Sequence, residues 1–181
     1  MLQPSGAVLN KMDTRALLSA ISASLDEILP NDCATLDYFD AGTGALTVQF
    51  LTSSDGDVPS GTVRLPLEGS PAGAAFRTRK PVLLQRMQDS PFAKEAVRHL
   101  TGLGMHSGCW VPLVHAGRAI GTMTVASRLE FAFSQRDADM LLDVAIRAAL
   151  AVHDALELSQ IADLCDPLID EIPSVQSQKC S

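Results

Sequence analysis

The chain has 181 residues, enough for one domain with a single sizeable core and some spare length. Hydrophobic residues make up 46% and charged residues 19%, the composition of a packed globular protein and not of a disordered one. With 14 basic and 21 acidic residues the formal net charge is −7, which repels phosphate backbones and anionic lipid, so neither nucleic acid nor membrane is expected as a direct partner.

Residues 1–10 carry Pro4, Ser5 and Gly6 and read as a flexible lead-in; they lack the basic region and apolar run of a signal peptide. From Lys11 the apolar residues Leu17, Leu18, Ile21, Leu25, Ile28 and Leu29 fall at helical spacing, and Pro30 ends the pattern. Two strand-like segments follow, Cys33–Phe39 and Leu46–Thr52, joined by a glycine-containing hairpin loop. After a Ser/Asp/Gly/Pro loop, Thr62–Leu67 reads as a third strand. Ser70 is then placed to cap a short helix, Pro71–Arg77, with proline at its first position.

Pro81–Leu84 is a brief extended piece, and Pro91–Leu100 is expected to be a helix stopped by Gly102 and Gly104. Ser107–His115 and Ala119–Ser127 form the clearest hairpin, apolar on both faces, so both faces of the sheet should be covered. Ser134-Gln135-Arg136-Asp137 has the form of a capping box, and a long helical pattern runs from there to about Cys165. Residues 166–181 change to Pro, Ser and Gln and read as a tail or linker, leaving 11–165 as the domain. The order of elements predicts an α+β fold on a central antiparallel sheet.

Catalytic signatures are lacking in the sequence: no GxSxG, HExxH or complete GxGxxG occurs. The cysteines Cys33, Cys109, Cys165 and Cys180 form no CxxC pair and no zinc-type cluster with histidine. No metal and no cofactor is expected. No apolar run approaches ~18 residues, and reduced thiols in a cytoplasmic protein are the simpler reading. The histidines His99, His106, His115 and His153 are not spaced at i, i+4, and a lone histidine is more often a surface or satisfied core residue than a ligand.

The ordered set Leu67-Glu68-Gly69-Ser70-Pro71-Ala72-Gly73, then Ser107-x-Cys109-x-x-Pro112-Leu113, then Gly117-Arg118-x-Ile120-Gly121, then Phe131-Ala132-Phe133-Ser134-x-x-Asp137 resembles a GAF domain over about residues 16–158. It is most similar to the sensors of formate-hydrogenlyase-activator type, which precede a sigma-54-dependent ATPase. The resemblance implies a PAS-like sheet with the long terminal helices on one face and short helices plus a ligand cavity on the other. It implies a small-molecule sensor acting on transcription through an output protein or fused domain. No GxxxxGK[ST] loop follows, so the chain reads as a free-standing domain or as the sensor segment of something longer.

Carried onto this chain, the cavity walls are Phe76, Arg77, Phe92 and Arg98 with one alternating face of the next strand, Ser107, Cys109, Val111 and Leu113. Arg77 or Arg98 could hold a small carboxylate. The same resemblance raises the free-methionine-sulfoxide reductases, GAF-fold enzymes that need a thiolate and a resolving thiol. The stretch 69–92, where they carry thiols, has none here, and Cys109 reads as a small buried hydrophobe. The cyclic-nucleotide signature of phosphodiesterase-type GAF domains is met only at Phe133 and Asp137, and no Cys-His dipeptide is present for bilin attachment. A degenerate domain that only dimerises is a further reading.

A homodimer is expected through the last helix. At ~1.5 Å per residue it would run roughly 48 Å, against a diameter of roughly 38 Å for a compact domain of this size. Leu141, Val144, Ala148, Ala151, Ala155 and Leu158 recur at steps of three and four, a seam of coiled-coil spacing.

Overall fold

The computed structural model describes residues 6–53 and 63–169. In chain order the elements are α1 (Gly6–Ile28), β1 (Cys33–Asp40), β2 (Ala45–Ser53), β3 (Val63–Pro66), α2 (Pro71–Thr78), β4 (Val82–Leu84), a 3-10 turn at Met87–Asp89, α3 (Lys94–Thr101), β5 (Ser107–His115), β6 (Arg118–Ser127) and α4 (Gln135–Ile169). The strands make one antiparallel sheet in the order β3-β2-β1-β6-β5-β4. This is the α+β architecture expected, with β1 and β6 at its centre.

Local chemistry starts the helices where the sequence places them. The Gly73 N–H donates to the Ser70 side chain at 2.9 Å, satisfying one of the free donors in the first turn of α2. At α4 the exchange is reciprocal: Ser134 N–H donates to the Asp137 carboxylate at 2.7 Å, and Asp137 N–H to Ser134 Oγ at 3.3 Å. Three boundaries differ from expectation. α1 already begins at Gly6, inside the stretch 1–10 read as a lead-in. α3 begins at Lys94 and not Pro91, because Ala93 N–H is drawn to Gly69 O at 3.0 Å and holds the preceding residues outside the helix. α4 continues to Ile169, so 166–169 are helical where a tail was expected; residues 1–5 and 170–181 lie outside the described ones.

Two cores sandwich the sheet. On one face α1 and α4 pack Ile21, Leu25, Leu141, Val144 and Ala148 against Leu36, Cys109, Val111, Leu113, Met123 and Val125. On the other, α2 and α3 pack Ala72, Ala75, Val97 and Leu100 against Leu46, Leu65 and the fully buried Trp110. The terminal helices thus share one face and the short helices the other.

The β5–β6 turn places Ala116 at φ 47 and Gly117 at φ 75, two left-handed residues in succession, as a tight type I′ hairpin demands. Alanine is a poor residue for the first position because its Cβ is strained there. Ala116→Asn is expected to raise stability by about 0.5–1 kcal/mol, since asparagine tolerates that conformation; a lower melting temperature in the variant would contradict this.

Candidate functional site

Strand β1 alternates side chains between the two cores. Ala34 and Leu36 join the core beneath α1 and α4, while Cys33 joins the opposite one. Asp37 shares the Cys33 face and is completely buried. It receives three hydroxyl hydrogen bonds: Thr35 Oγ1 at 2.9 Å to Oδ1, and Thr122 and Thr124 Oγ1 at 2.9 and 3.3 Å to Oδ2. The strand register builds this cluster, because Asp37 lies across from Thr122, and Thr35 from Thr124. Burial pushes the Asp37 carboxyl up to about 6, with the Thr122, Thr35 and Thr124 hydroxyls pulling in the opposite sense. Among the described residues, no lysine or arginine pairs with it.

A second polar group reaches the same core from above. His99, on α3, is half-buried and stands edge-on to Phe50 with ring centroids 6.3 Å apart. Phe50 pairs across the strands with Thr35. Burial pushes the imidazole down to about 4, so it is neutral at physiological pH, and its Nδ1 is sealed from solvent without a hydrogen-bond partner. The carboxylate and its three hydroxyls thus lie on the sheet face that carries Trp110, Leu46 and the small residues of α2, and His99 borders that face at Phe50.

The residues expected to line the cavity are only partly brought together. Phe76 and Phe92 do border this core, Phe76 with its ring 5.0 Å from that of Phe39. Cys109, Val111 and Leu113 are a correction: they belong to the opposite core, under α1 and α4. β5 is apolar on both faces, so alternation alone does not say which set looks toward the short helices; Trp110 does, and Cys109 does not. Ser107 is buried, but its hydroxyl is spent on Leu129 O at 2.6 Å. The two arginines are also corrected. Arg77 is half-exposed and lies 3.7 Å from Glu68, and Arg98 is 76% exposed and lies 3.7 Å from Glu95 on its own helix. Neither enters the core, because both occupy the solvent side of short helices whose other side is already filled.

Of the expected dimer seam, the structure places the first three residues in the chain's own core. Leu141, Val144 and Ala148 are buried in the chain's own core, and Ala151 and Ala155 are half-buried; the Leu158 side chain lies outside the described ones. α1 and the sheet cover the N-terminal part of that seam. Among the described side chains, the large apolar ones that α4 exposes are Ile146 and Leu150.

The described cysteines lie in separate cores. Burial first, then the Asp37 and Asp32 charges, push the Cys33 thiol up to about 12; burial, then Asp137 and Asp139, do the same for Cys109. Thiolate is the attacking species in thiol chemistry, so both are poor nucleophiles. Cys33 and Cys109 are expected to resist alkylation by iodoacetamide in the native protein at pH 8 and to react once urea unfolds it, read out by peptide mass spectrometry. Native labelling at either position would contradict their burial.

At the far end of the sheet a groove of about 430 Å³ runs between the β5–β6 turn and α4, lined by Phe39, His115, Arg118, Ile120, His153 and Glu157 among others. His115 and His153 stack at 4.4 Å across it, joining the hairpin to the middle of α4. Among the described residues no group of His, Cys, Asp and Glu is arranged to hold a metal ion, and no helix is long and apolar enough to cross a membrane.

The family model described as GAF domain matches residues 11–153. Solved structures share the fold. The type II free methionine-R-sulfoxide reductase from Thermoplasma acidophilum is 20% identical with a TM-score of 0.63, covering 81% of this chain and 96% of that one. A methyl-accepting chemotaxis protein segment is 18% identical with a TM-score of 0.63, covering 86% and 98%. The GAF domain of a phosphoenolpyruvate-protein phosphotransferase from Coxiella burnetii is 19% identical with a TM-score of 0.62, covering 83% and 94%. At these identities the likeness is one of fold. No curated protein matches the chain in sequence.

Proposed function

The chain belongs to the GAF domain family, and from that premise we propose that it is a non-catalytic sensor, holding a small molecule against the sheet face beneath α2 and α3 and signalling through its terminal helices. The observation that carries this reading is the buried cluster of Asp37, Thr35, Thr122 and Thr124, a few polar groups on the apolar sheet face beneath the short helices. Family membership supports it, as does the likeness in fold to a segment of a methyl-accepting chemotaxis protein. α4 is the natural output element, because its first turns pack on the sheet and its last turns run on to Ile169. The motif resemblance favours transcription as the output, in the cytoplasm, through a partner or fused ATPase module of sigma-54 type.

The thiol-reductase alternative draws on the sulfoxide reductases among the structural neighbours. The burial of Cys33 and Cys109 in separate cores weighs against it. Native mass spectrometry of freshly purified protein is the test: a small molecule carried with the chain is the expected result. Reduction of free methionine sulfoxide by the pure protein would overturn the non-catalytic reading, and an empty chain would leave the ligand-free dimerisation module in its place.

The active form in this reading is a homodimer, with the contact moved from the coiled-coil seam to the exposed side of α4. Ile146 and Leu150, one turn apart and 58% and 55% exposed, are the large apolar side chains available there among the described residues. Ile146→Glu with Leu150→Glu is expected to convert a dimeric mass into a monomeric one by light scattering, while leaving the fold intact. A monomeric mass for the unmutated protein would end this part of the reading.

A further inference from the structure

We propose that the groove between the β5–β6 turn and α4 is a second ligand site, separate from the sheet face beneath α2 and α3. It takes a small organic monoanion: a carboxylate held by Arg118, with an apolar body against Phe39, Ile120 and Leu156.

The space is there and its walls are set. The groove measures about 430 Å³, within the range of sites that hold small organic molecules and more than an inorganic ion fills. His115 and Arg118 face each other across the closing turn of the hairpin, so both leave the same end of the sheet. Arg79, which ends α2, donates from Nη1 to Gly117 O at 3.0 Å and holds the turn. The His115 and His153 rings stack 4.4 Å apart and 20° from parallel, which ties the hairpin to α4. A site whose walls are fixed before the ligand arrives loses less on binding.

The polar groups give its sign. They are His115 from β5, Arg118 from β6, and His153 and Glu157 from α4; β1 brings only the ring of Phe39. Glu157 is the single acid in the groove, and its Oε1 already lies 3.4 Å from His153 Nε2. Arg118 has no carboxylate partner among the described residues, in a chain with 21 acids to 14 bases. Its guanidinium offers five N–H donors in a fixed fork that matches a carboxylate, and each imidazole carries at least one N–H more. An ammonium entering here would meet Arg118. A phosphate dianion would set a second negative charge against Glu157. One unpartnered cation matches one negative charge.

The rest of the lining is apolar. Ile120 and Leu156 are partly buried at the margin of the core under α1 and α4, and Phe39 stands at the margin of the other core. Covering them removes apolar surface from water, so the ligand needs a hydrocarbon body as well as its charge. Such a ligand touches β6 through Arg118 and Ile120, and α4 through His153 and Leu156. Binding therefore fastens the hairpin to the helix.

The test is a titration of the whole chain followed by proton–nitrogen NMR and isothermal calorimetry. Phenylacetate and hexanoate are the probes. Acetate and inorganic phosphate carry charge without the body, 2-phenylethanol the body without charge, and phenethylamine the opposite charge. Phenylacetate and hexanoate are expected to shift the amide signals of His115 to Ile120 and of His153 to Glu157, and the other four to bind at least roughly 10-fold more weakly. Arg118→Gln is expected to stay folded and to lose roughly 10-fold or more in affinity for phenylacetate, the worth of a hydrogen bond between charged groups. Arg98→Gln, which removes an equally exposed charge on α3, is expected to leave that affinity unchanged. Urea unfolding of both variants separates lost binding from lost structure. No shift in the groove with either carboxylate at millimolar concentration overturns the site. So does tighter binding of phenethylamine there, or phenylacetate binding retained by folded Arg118→Gln.

Discussion

Gly121→Ala is expected to destabilise the protein by about 3 kcal/mol or more, at the upper end of what overpacking a core costs. Gly121 lies in β6 against β1, and a Cβ there would stand 2.1 Å from Asp37 O and 3.1 Å from Tyr38 Cα. The obstacle is backbone at the centre of the sheet, so no rotamer change relieves it. Gly73→Ala meets a similar wall: its Cβ would lie 2.1 Å from Leu67 O and 2.6 Å from Leu67 Cα, where the chain leaving β3 folds back over the first turn of α2. The gain of about 1 kcal/mol in helix propensity does not offset that clash. The control is Gly69→Asn. Gly69 has φ +71 with nothing within 4 Å of an added Cβ, and asparagine accepts that conformation, so a loss below about 1 kcal/mol is expected. Urea unfolding at one pH ranks the three. A Gly121→Ala protein as stable as Gly69→Asn would show that β1 and β6 can separate without penalty, contrary to the close pairing around Asp37.

Both glycines belong to the short motifs by which the fold is legible in the sequence, and their geometry says why. Leu67-Glu68-Gly69-Ser70-Pro71-Ala72-Gly73 encodes a left-handed residue, a helix cap and a close approach in succession, and Gly117 to Gly121 encodes a tight hairpin and the β1–β6 contact. Local chemistry of this kind needs no knowledge of distant residues. The site was harder to read. In β5 both alternating sets are apolar, so Cys109, Val111 and Leu113 carry no mark of which core they enter; the large Trp110 and the helices that follow decide it. Arg77 and Arg98 lie on amphipathic helices, where a basic residue is more often on the wet side, and here both are. The α4 seam is real as a pattern, but α1 and the sheet take up its first residues, Leu141, Val144 and Ala148. Asp37 was missed because one acid in a strand reads as a solvent-facing position. The signal that finds it is joint: Thr35 and Asp37 on one strand, Thr122 and Thr124 on another, each two apart, become one cluster only when β1 is set beside β6.

Replacing Asp37 by asparagine is expected to stabilise the unliganded protein, and increasingly so as the pH rises. The carboxyl titrates near 3.9 in an unfolded chain and near 6 in the fold. Its folded pKa is raised, so the native state holds the proton more tightly than the unfolded one. The stability it contributes is complete below about pH 4 and is lost as the pH climbs through 6. Two units of difference correspond to about 3 kcal/mol. Asparagine keeps a polar side chain for Thr35, Thr122 and Thr124 and never ionises. The variant should match the parent near pH 4 and exceed it by up to about 3 kcal/mol at pH 7. His99 works in the opposite sense across the same interval, because its folded pKa is depressed to about 4 and its contribution is lost on acidification. The raw stability curve of either protein therefore mixes the two, and the difference between them isolates Asp37. Urea unfolding of both at pH 4, 5, 6 and 7 gives that difference directly. A gap that stays constant across the series would mean that Asp37 is ionised in the fold as readily as in the unfolded chain. A gap that opens with pH means that the protein retains, at a cost to its own stability, a buried negative charge that no described lysine or arginine neutralises.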